Sequence, residues 1–292
     1  MPNNKTTLAD MVGALRLKVD DAFSGLAIDG ALRALADTEN PLRLNFFSTA
    51  IRILFEHLMD TLSPEAEVAK TSWFKPERDD GKPTRGQRVL FAIQGGFSDA
   101  FLKEKLNVDV SPLQKRLTDA FAELSKHVHG GETTIIRGKA EQDVVAERTT
   151  ASMGVFLDAL HECREAVLKP IADALDDAAV NTLLGDEMLE VDELATHFLV
   201  DELYVDTIVV SAIGADKITY KVTGSVEVTL QWGSNSDVRR GDGAESAQSF
   251  PFNCEFQLPL DDPWGLDEAE LTYGVDVSRW HDMMAPDHDE ST

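Results

Sequence analysis

The spacing of the apolar residues changes once along this chain, near residue 199, and that change constrains the fold more than any other feature. Downstream of it, Val226, Val228, Leu230 and Trp232 alternate strictly with Ser225, Glu227, Thr229 and Gln231 in GSVEVTLQW. FPFNCEFQL repeats the pattern with Phe250, Phe252, Cys254, Phe256 and Leu258, and ITYKV and LTYGVDV follow it more briefly. A period of two places one face of each strand against a core and the other in water, as in an antiparallel sheet. The polar stretch GSNSDVRRGDGAE between two of these runs reads as a long hairpin loop. Pro251, which has no N–H to give to a ladder, points to an edge strand or a strand start.

Upstream, the period is helical. Residues 7–36 carry Leu8, Met11, Val12, Leu15, Ile28, Leu32 and Leu35 near the 3.6-residue spacing, and Asn40-Pro41 breaks the run. A strong helix is expected over 42–62, with Leu44, Phe47, Ile51, Leu54 and Leu58 on one face and Ser63-Pro64 at its end. Thr84 and Ser98 are positioned as N-caps. Ser111 with Pro112 forms a further helix start, where the missing proline N–H does no harm. A long helical stretch is expected from about 140 to 184, interrupted at Pro170. The expectation is an α+β protein: an all-helical bundle over 1–184, an antiparallel sheet or sandwich over 185–282, and a frayed tail over 283–292. The length of 292 residues suits two such domains.

Charge divides at nearly the same place. Residues 1–140 hold 19 Lys+Arg and 19 Asp+Glu, whereas 141–292 hold 8 and 33, so the net charge of -25 sits in the second half. A polyanion is repelled by that half and tolerated by the first. No run of 18 apolar residues occurs, and MPNNKTTLAD lacks the parts of a secretory leader, so no membrane span is expected and a cytoplasmic location is. Two cysteines, Cys163 and Cys254, are too few for a thiolate metal site and read as buried free thiols. No Gly-rich phosphate loop, H-E-x-x-H or G-x-S-x-G is present, so neither a metal nor a cofactor is expected.

Three stretches remain that could carry chemistry. In IRILFEHL, Arg52 and His57 lie roughly 140° apart around a helix. A histidine titrating near neutrality can move the 2′-OH proton of RNA, and a permanent cation can stabilise the charge on phosphorus. The competing structural account pairs Arg52 with Glu56 at i,i+4. In SKHVHGG, His127 and His129 sit at a helix C-terminus, which favours protonated imidazole and hence phosphate; i,i+2 spacing disfavours shared metal ligation. Between residues 70 and 88, Trp73 and Phe74 lie among Lys75, Lys82, Arg85 and Arg88, cations for phosphate and aromatic faces for bases. Against this, Trp73 could simply anchor the loop while the charges stay solvated.

The phrases NPLRLNFFSTAIRILFEHLMDTLSPEAEV, KTSWFKPE, TRGQRVLFAIQGGFSD and ELSKHVHGG resemble the predicted PIWI-associated nuclease family of prokaryotic defence loci. VTGSVEVTLQWGSNSDVRRGDGAE and SFPFNCEFQLPLDDP resemble the β module that accompanies it. The resemblance implies an anti-phage role, acting on nucleic acid beside a PIWI/Argonaute-like or other effector protein. The helical half is also similar to HEPN ribonucleases. Their R-x4-6-H motif would fall on Arg52 and His57, with a homodimer bringing two motifs to one groove. Ile53 departs from that pattern, which carries a polar residue after the arginine.

The reading that follows is a metal-independent ribonuclease, with Arg52 and His57 catalytic and with Trp73, Lys75, Lys82, Arg85, Arg88, His127 and His129 on the nucleic acid. Its competitor is a non-catalytic adaptor or sensor that assembles with a defence effector through its bundle and β domain. An acidic nucleic-acid mimic draws on the charge alone.

Overall fold

The computed structural model describes residues 7–125, 136–175, 194–266 and 269–280, and the chain divides into two units, 1–167 and 168–292. His127 and His129 lie outside the described residues.

The first unit is helical. α1 (Leu8–Ala14) begins in a capping box made by Thr7 and Asp10 and passes into a single 3-10 turn, Leu15–Lys18. The uninterrupted helix expected over 7–36 is not what forms. Val19 is extended, and Asp21 starts a new helix, α2 (Ala22–Ala36), by accepting the backbone N–H of Ser24. The physical reason is local: an aspartate preceding a helix satisfies one of its orphan amide donors, and here that competes successfully with continuing the turn.

α3 (Arg43–Leu62) buries Leu44, Phe47, Ile51 and Leu54 along the stripe that its sequence predicts. A short α4 (Glu65–Val68) and an irregular stretch lead to α5 (Arg85–Gln94), capped by Thr84 and Gln87, then α6 (Asp99–Leu106), capped by Ser98. α7 (Val110–Ser125) starts one residue ahead of the expected cap, with Asp109 rather than Ser111 accepting a first-turn amide, that of Ser111 itself. α8 (Lys139–Asp173) runs through Pro170 without a break and ends one turn later. Near a C-terminus the missing N–H removes only one ladder bond, so the interruption expected from Pro170 does not occur. Met153, Phe156, Leu160, Cys163 and Val167 form its buried stripe.

The second unit holds one antiparallel sheet in the order β1-β2-β3-β4. β2 (Lys217–Trp232) and β3 (Ala244–Pro259) are in a register that pairs buried residues across the strands: Ile218 with Leu258, Tyr220 with Phe256, Val222 with Cys254, Val226 with Phe250. These non-polar cross-strand pairs are the alternation seen in the sequence, now facing one core. The polar stretch between β2 and β3 is ordered as a short helix, α9 (Asn235–Arg240). Ser234 caps its start, and Gly241 ends it in the left-handed region, φ 81°. β4 (Glu270–Val275) pairs with the middle of β3.

Pro251 lies in a central strand, not at an edge strand or a strand start. Its carbonyl accepts from Asp276 just past the end of β4, so its ring nitrogen faces the side where the β4 ladder has stopped and no donor is lost. β1 (His197–Ile213) is the strand that no alternation announced. It carries three one-residue bulges, between Val200 and Glu202, Val205 and Thr207, and Val210 and Ala212, and each one exchanges its inward and outward faces.

Candidate nucleic-acid site on the helical unit

α3 is flanked by two concavities that meet different sides of it. Arg52, Phe55, Glu56, Met59 and Asp60 face the first, together with Arg85, Arg88 and Phe121; its volume is about 210 Å³. His57, Leu58, Thr61 and Leu62 face the second, of about 450 Å³, together with Lys18, Asp20, Asp21, Leu157, Leu160, His161 and Arg164. Arg52 and His57 therefore open onto separate spaces.

In the first concavity the cations are largely spoken for. Arg52 Nε donates to Glu56 Oε1 at 2.8 Å, and both side chains are half exposed. Arg88 donates to Asp60 at 2.7 Å and to the carbonyl of Ser63 at 3.1 Å. Arg85 lies over the Phe121 ring, 5.4 Å from its centroid, and forms no ion pair among the described residues. An exposed i,i+4 pair such as Arg52–Glu56 contributes only a few tenths of a kcal/mol, about 0.3–0.5, so a phosphate can displace Glu56 at little cost.

The loop before α5 does not join this concavity. Trp73 is half-buried, and its indole N–H donates to the carbonyl of Gly95 at 3.1 Å, which fastens the loop to the end of α5. Lys82 pairs with Glu65 and Arg78 with Asp80, while Lys75 is exposed. Of the cations expected on nucleic acid, the structure brings Arg85 and Arg88 beside Arg52 and leaves Lys75 and Lys82 elsewhere.

The second concavity has a different chemistry. Asp21 Oδ1 accepts both the Ser24 amide, at 2.8 Å, and His57 Nε2, at 3.0 Å. Burial by itself would raise the Asp21 carboxyl, but the hydrogen bonds from Ser24 and His57 outweigh it and hold the group below its ordinary value. Asp21 is therefore a carboxylate at neutral pH and accepts only. His57 must carry its proton on Nε2, leaving Nδ1 as the basic nitrogen. Phe23 packs against the imidazole, ring centroids 4.5 Å apart. An orienting carboxylate on one nitrogen with the other left basic is the arrangement that proton transfer by histidine requires.

Besides Asp20 and Asp21, the same space holds three basic residues that sequence reasoning did not single out. Lys18 is paired with Asp158. His161 is exposed, and Arg164, one turn further along α8, donates to the carbonyl of Ala92. The signal was present as H-x-x-R, i,i+3 on a helical stretch, but a lone i,i+3 pair has no meaning until α2 and α3 are known to face it. Neither thiol competes as a nucleophile. Both are buried and free, and burial raises them, Cys254 to about 12. Among the described residues, no three His, Cys, Asp or Glu side chains are placed to hold one metal ion, and no helix is long and apolar enough to cross a membrane.

No curated protein and no solved structure matches the chain. Two family models do, both described as predicted pPIWI-associating nuclease, one over residues 16–153 and the other over 160–281. The first takes in α2 to α7 and the first part of α8, including both Arg52 and His57, and the second takes in His161, Arg164 and the whole sheet. Together they span nearly all of the described structure, and the chain belongs to the predicted pPIWI-associating nuclease family.

Proposed function

We propose that the helical unit cleaves RNA without a metal ion, with His57 moving the proton of the attacking 2′-OH, in a prokaryotic defence system where a PIWI-type protein is the partner. The observation that carries this reading is the Asp21–His57 hydrogen bond at a concavity large enough for a nucleotide. Asp21 fixes the tautomer, His57 Nδ1 accepts the proton, and the 2′ oxygen attacks the adjacent phosphorus. Arg52, Arg85 and Arg88, on the other side of α3, hold the strand rather than the reacting group. The acidic second half of the chain disfavours polyanions and suits the role of docking to the protein partner.

The test is cleavage of labelled single-stranded RNA by the full chain in EDTA. His57→Ala is expected to lower the rate by about 10²–10⁴-fold, the span of general acid–base contributions, with an unchanged thermal midpoint. Asp21→Asn keeps a good N-cap but offers an amide in place of the carboxylate. It is expected to lower the rate by about tenfold or more, as outer-shell partners of histidine do, again without loss of stability. A folded His57→Ala protein that cleaves at the wild-type rate removes His57 from the mechanism.

A second reading, a non-catalytic adaptor, is favoured by one observation: Arg52, Arg78, Lys82 and Arg88 all have carboxylate partners within the chain. It predicts binding to a PIWI-type protein by the wild type and by His57→Ala alike, with no RNA cleaved by either, with or without that protein.

A further inference from the structure

The cleft beside Arg52 and the sheet edge at β1 carry weaker cases than the His57 concavity, because two of the three cleft arginines are paired with carboxylates and nothing fixes what would cover the edge. In the His57 concavity one group is left over. Arg164 is partly buried and has five N–H donors. It gives one to Ala92 O and forms no ion pair with a carboxylate among the described residues. Its helix neighbour Glu165 attracts it electrostatically without forming an ion pair. Burying a guanidinium without a paired carboxylate is costly, and an arginine so placed fits a site whose counter-ion arrives with the ligand. His161 stands one turn before it on the same face of α8, and His57 lines the same space from α3.

We infer that this concavity is a phosphodiester-binding site in which Arg164 holds the phosphate and His161 is the second proton-transfer residue, opposite His57. The inference rests on the ribonuclease reading and completes its chemistry. His57 Nδ1 takes the 2′-OH proton as the bond from the 2′ oxygen to phosphorus forms. Protonated His161 gives its proton to the 5′ oxygen as the bond from phosphorus to that oxygen breaks. The products are a 2′,3′-cyclic phosphate and a free 5′-OH, and the two histidines have exchanged protonation states. A guanidinium stabilises the extra negative charge on the phosphoryl oxygens during the exchange. Two carboxylates also line the space. Asp21 is hydrogen-bonded by Ser24 and His57, and Asp20 is exposed and screened by solvent, so a phosphate is held by the directed donors of Arg164 rather than by net positive charge.

The test uses inorganic phosphate and the full chain, with the imidazole C–H resonances of His57 and His161 followed by NMR. Both are expected to shift along one binding curve in the wild type. Arg164→Lys, which keeps the charge but not the planar fork, is expected to weaken that curve at least fivefold, and Arg164→Gln at least tenfold. Because Arg164 is partly buried, His161→Asn serves as the exposed variant. It is expected to fold normally and to cut RNA at least a hundredfold more slowly. A His161 resonance that ignores phosphate, or a curve that Arg164→Lys leaves untouched, overturns the inference while leaving His57-dependent cleavage standing. Phosphate binding that follows these variants, with no RNA cleaved, retains the site and overturns the nuclease reading and with it the proton-transfer role of His161.

Discussion

Gly224→Ala is expected to destabilise the sheet unit by about 3 kcal/mol or more, at the upper end of what overpacking costs. Gly224 pairs with Val205 on one side and Phe252 on the other, opposite the second bulge of β1. A Cβ built on it overlaps the carbonyl oxygen of Tyr204 and comes within 2.8 Å of two ring atoms of Phe252. The ring could rotate away, but the carbonyl belongs to the backbone of the neighbouring strand and moves only if the ladder opens. Trimming the ring in a Gly224→Ala/Phe252→Leu protein is therefore expected not to restore stability. Trp232, Trp264 and Trp280 all lie in this unit, so intrinsic fluorescence during denaturant unfolding reports it. A midpoint equal to that of the wild type would show that β1 does not press on β2 as described.

That glycine also shows where sequence reading stops. Strict alternation in β2 and β3 was legible because both strands have one buried face and no bulge between them, so the period of two survives over 16 residues in each. β1 is just as long but hides its period, since three bulges reverse its faces at intervals of five residues. The α3 stripe and the Thr84 and Ser98 caps were legible because each depends on residues within one turn of the helix. Asp21 obeys the same local rule. Yet the apolar residues on either side of it keep a helical spacing, and the pattern concealed the break.

The same break explains how the candidate site reads in sequence. Arg52 and His57 are visible together because they are five residues apart, while the hydrogen bond of His57 goes to Asp21, 36 residues away. The 3-10 turn and the extended Val19 bring Lys18, Asp20 and Asp21 to the His57 side of α3. His161 and Arg164 arrive there from α8, more than 100 residues along the chain. Linear spacing weighs a near neighbour over a distant one, and the fold reverses that weighting. The loop with Trp73 shows the converse. Its composition suits nucleic acid, but its indole N–H is used on Gly95, and Arg78 and Lys82 are paired within the loop and with α4.

A site assembled from α2, α3 and α8 depends on how α3 and α8 are registered, and Arg43 sets that register. Its side chain is 3% exposed at the first turn of α3. Nε donates to Gln142 at 2.9 Å, Nη1 to the carbonyl of Leu35 at 3.2 Å, and Nη2 to Asp143. Gln142 in turn donates to the carbonyls of Pro41 and Ile136, so one network joins the end of α2, the start of α3 and the first turn of α8. Arg43→Met is expected to cost about 3 kcal/mol, the low end for breaking a buried charged pair, because Asp143 is 39% exposed and recovers water. Arg43→Lys is expected to recover little, since one ammonium cannot serve three acceptors in the directions a guanidinium does. Adding Gln142→Leu to Arg43→Met is expected to cost less than the sum of the two, because the acceptor left unsatisfied by the first change is removed by the second. Thermal unfolding of the wild type and of these four variants, Gln142→Leu alone included, measures these differences, and a loss under about 1 kcal/mol for Arg43→Met, the level of an exposed pair, would place the clamp elsewhere. Well below its unfolding temperature, Arg43→Met is also expected to cleave RNA more slowly, since His57 rides on α3 and His161 and Arg164 on α8. Wild-type cleavage by a destabilised Arg43→Met protein would mean that the reacting groups do not straddle those two helices.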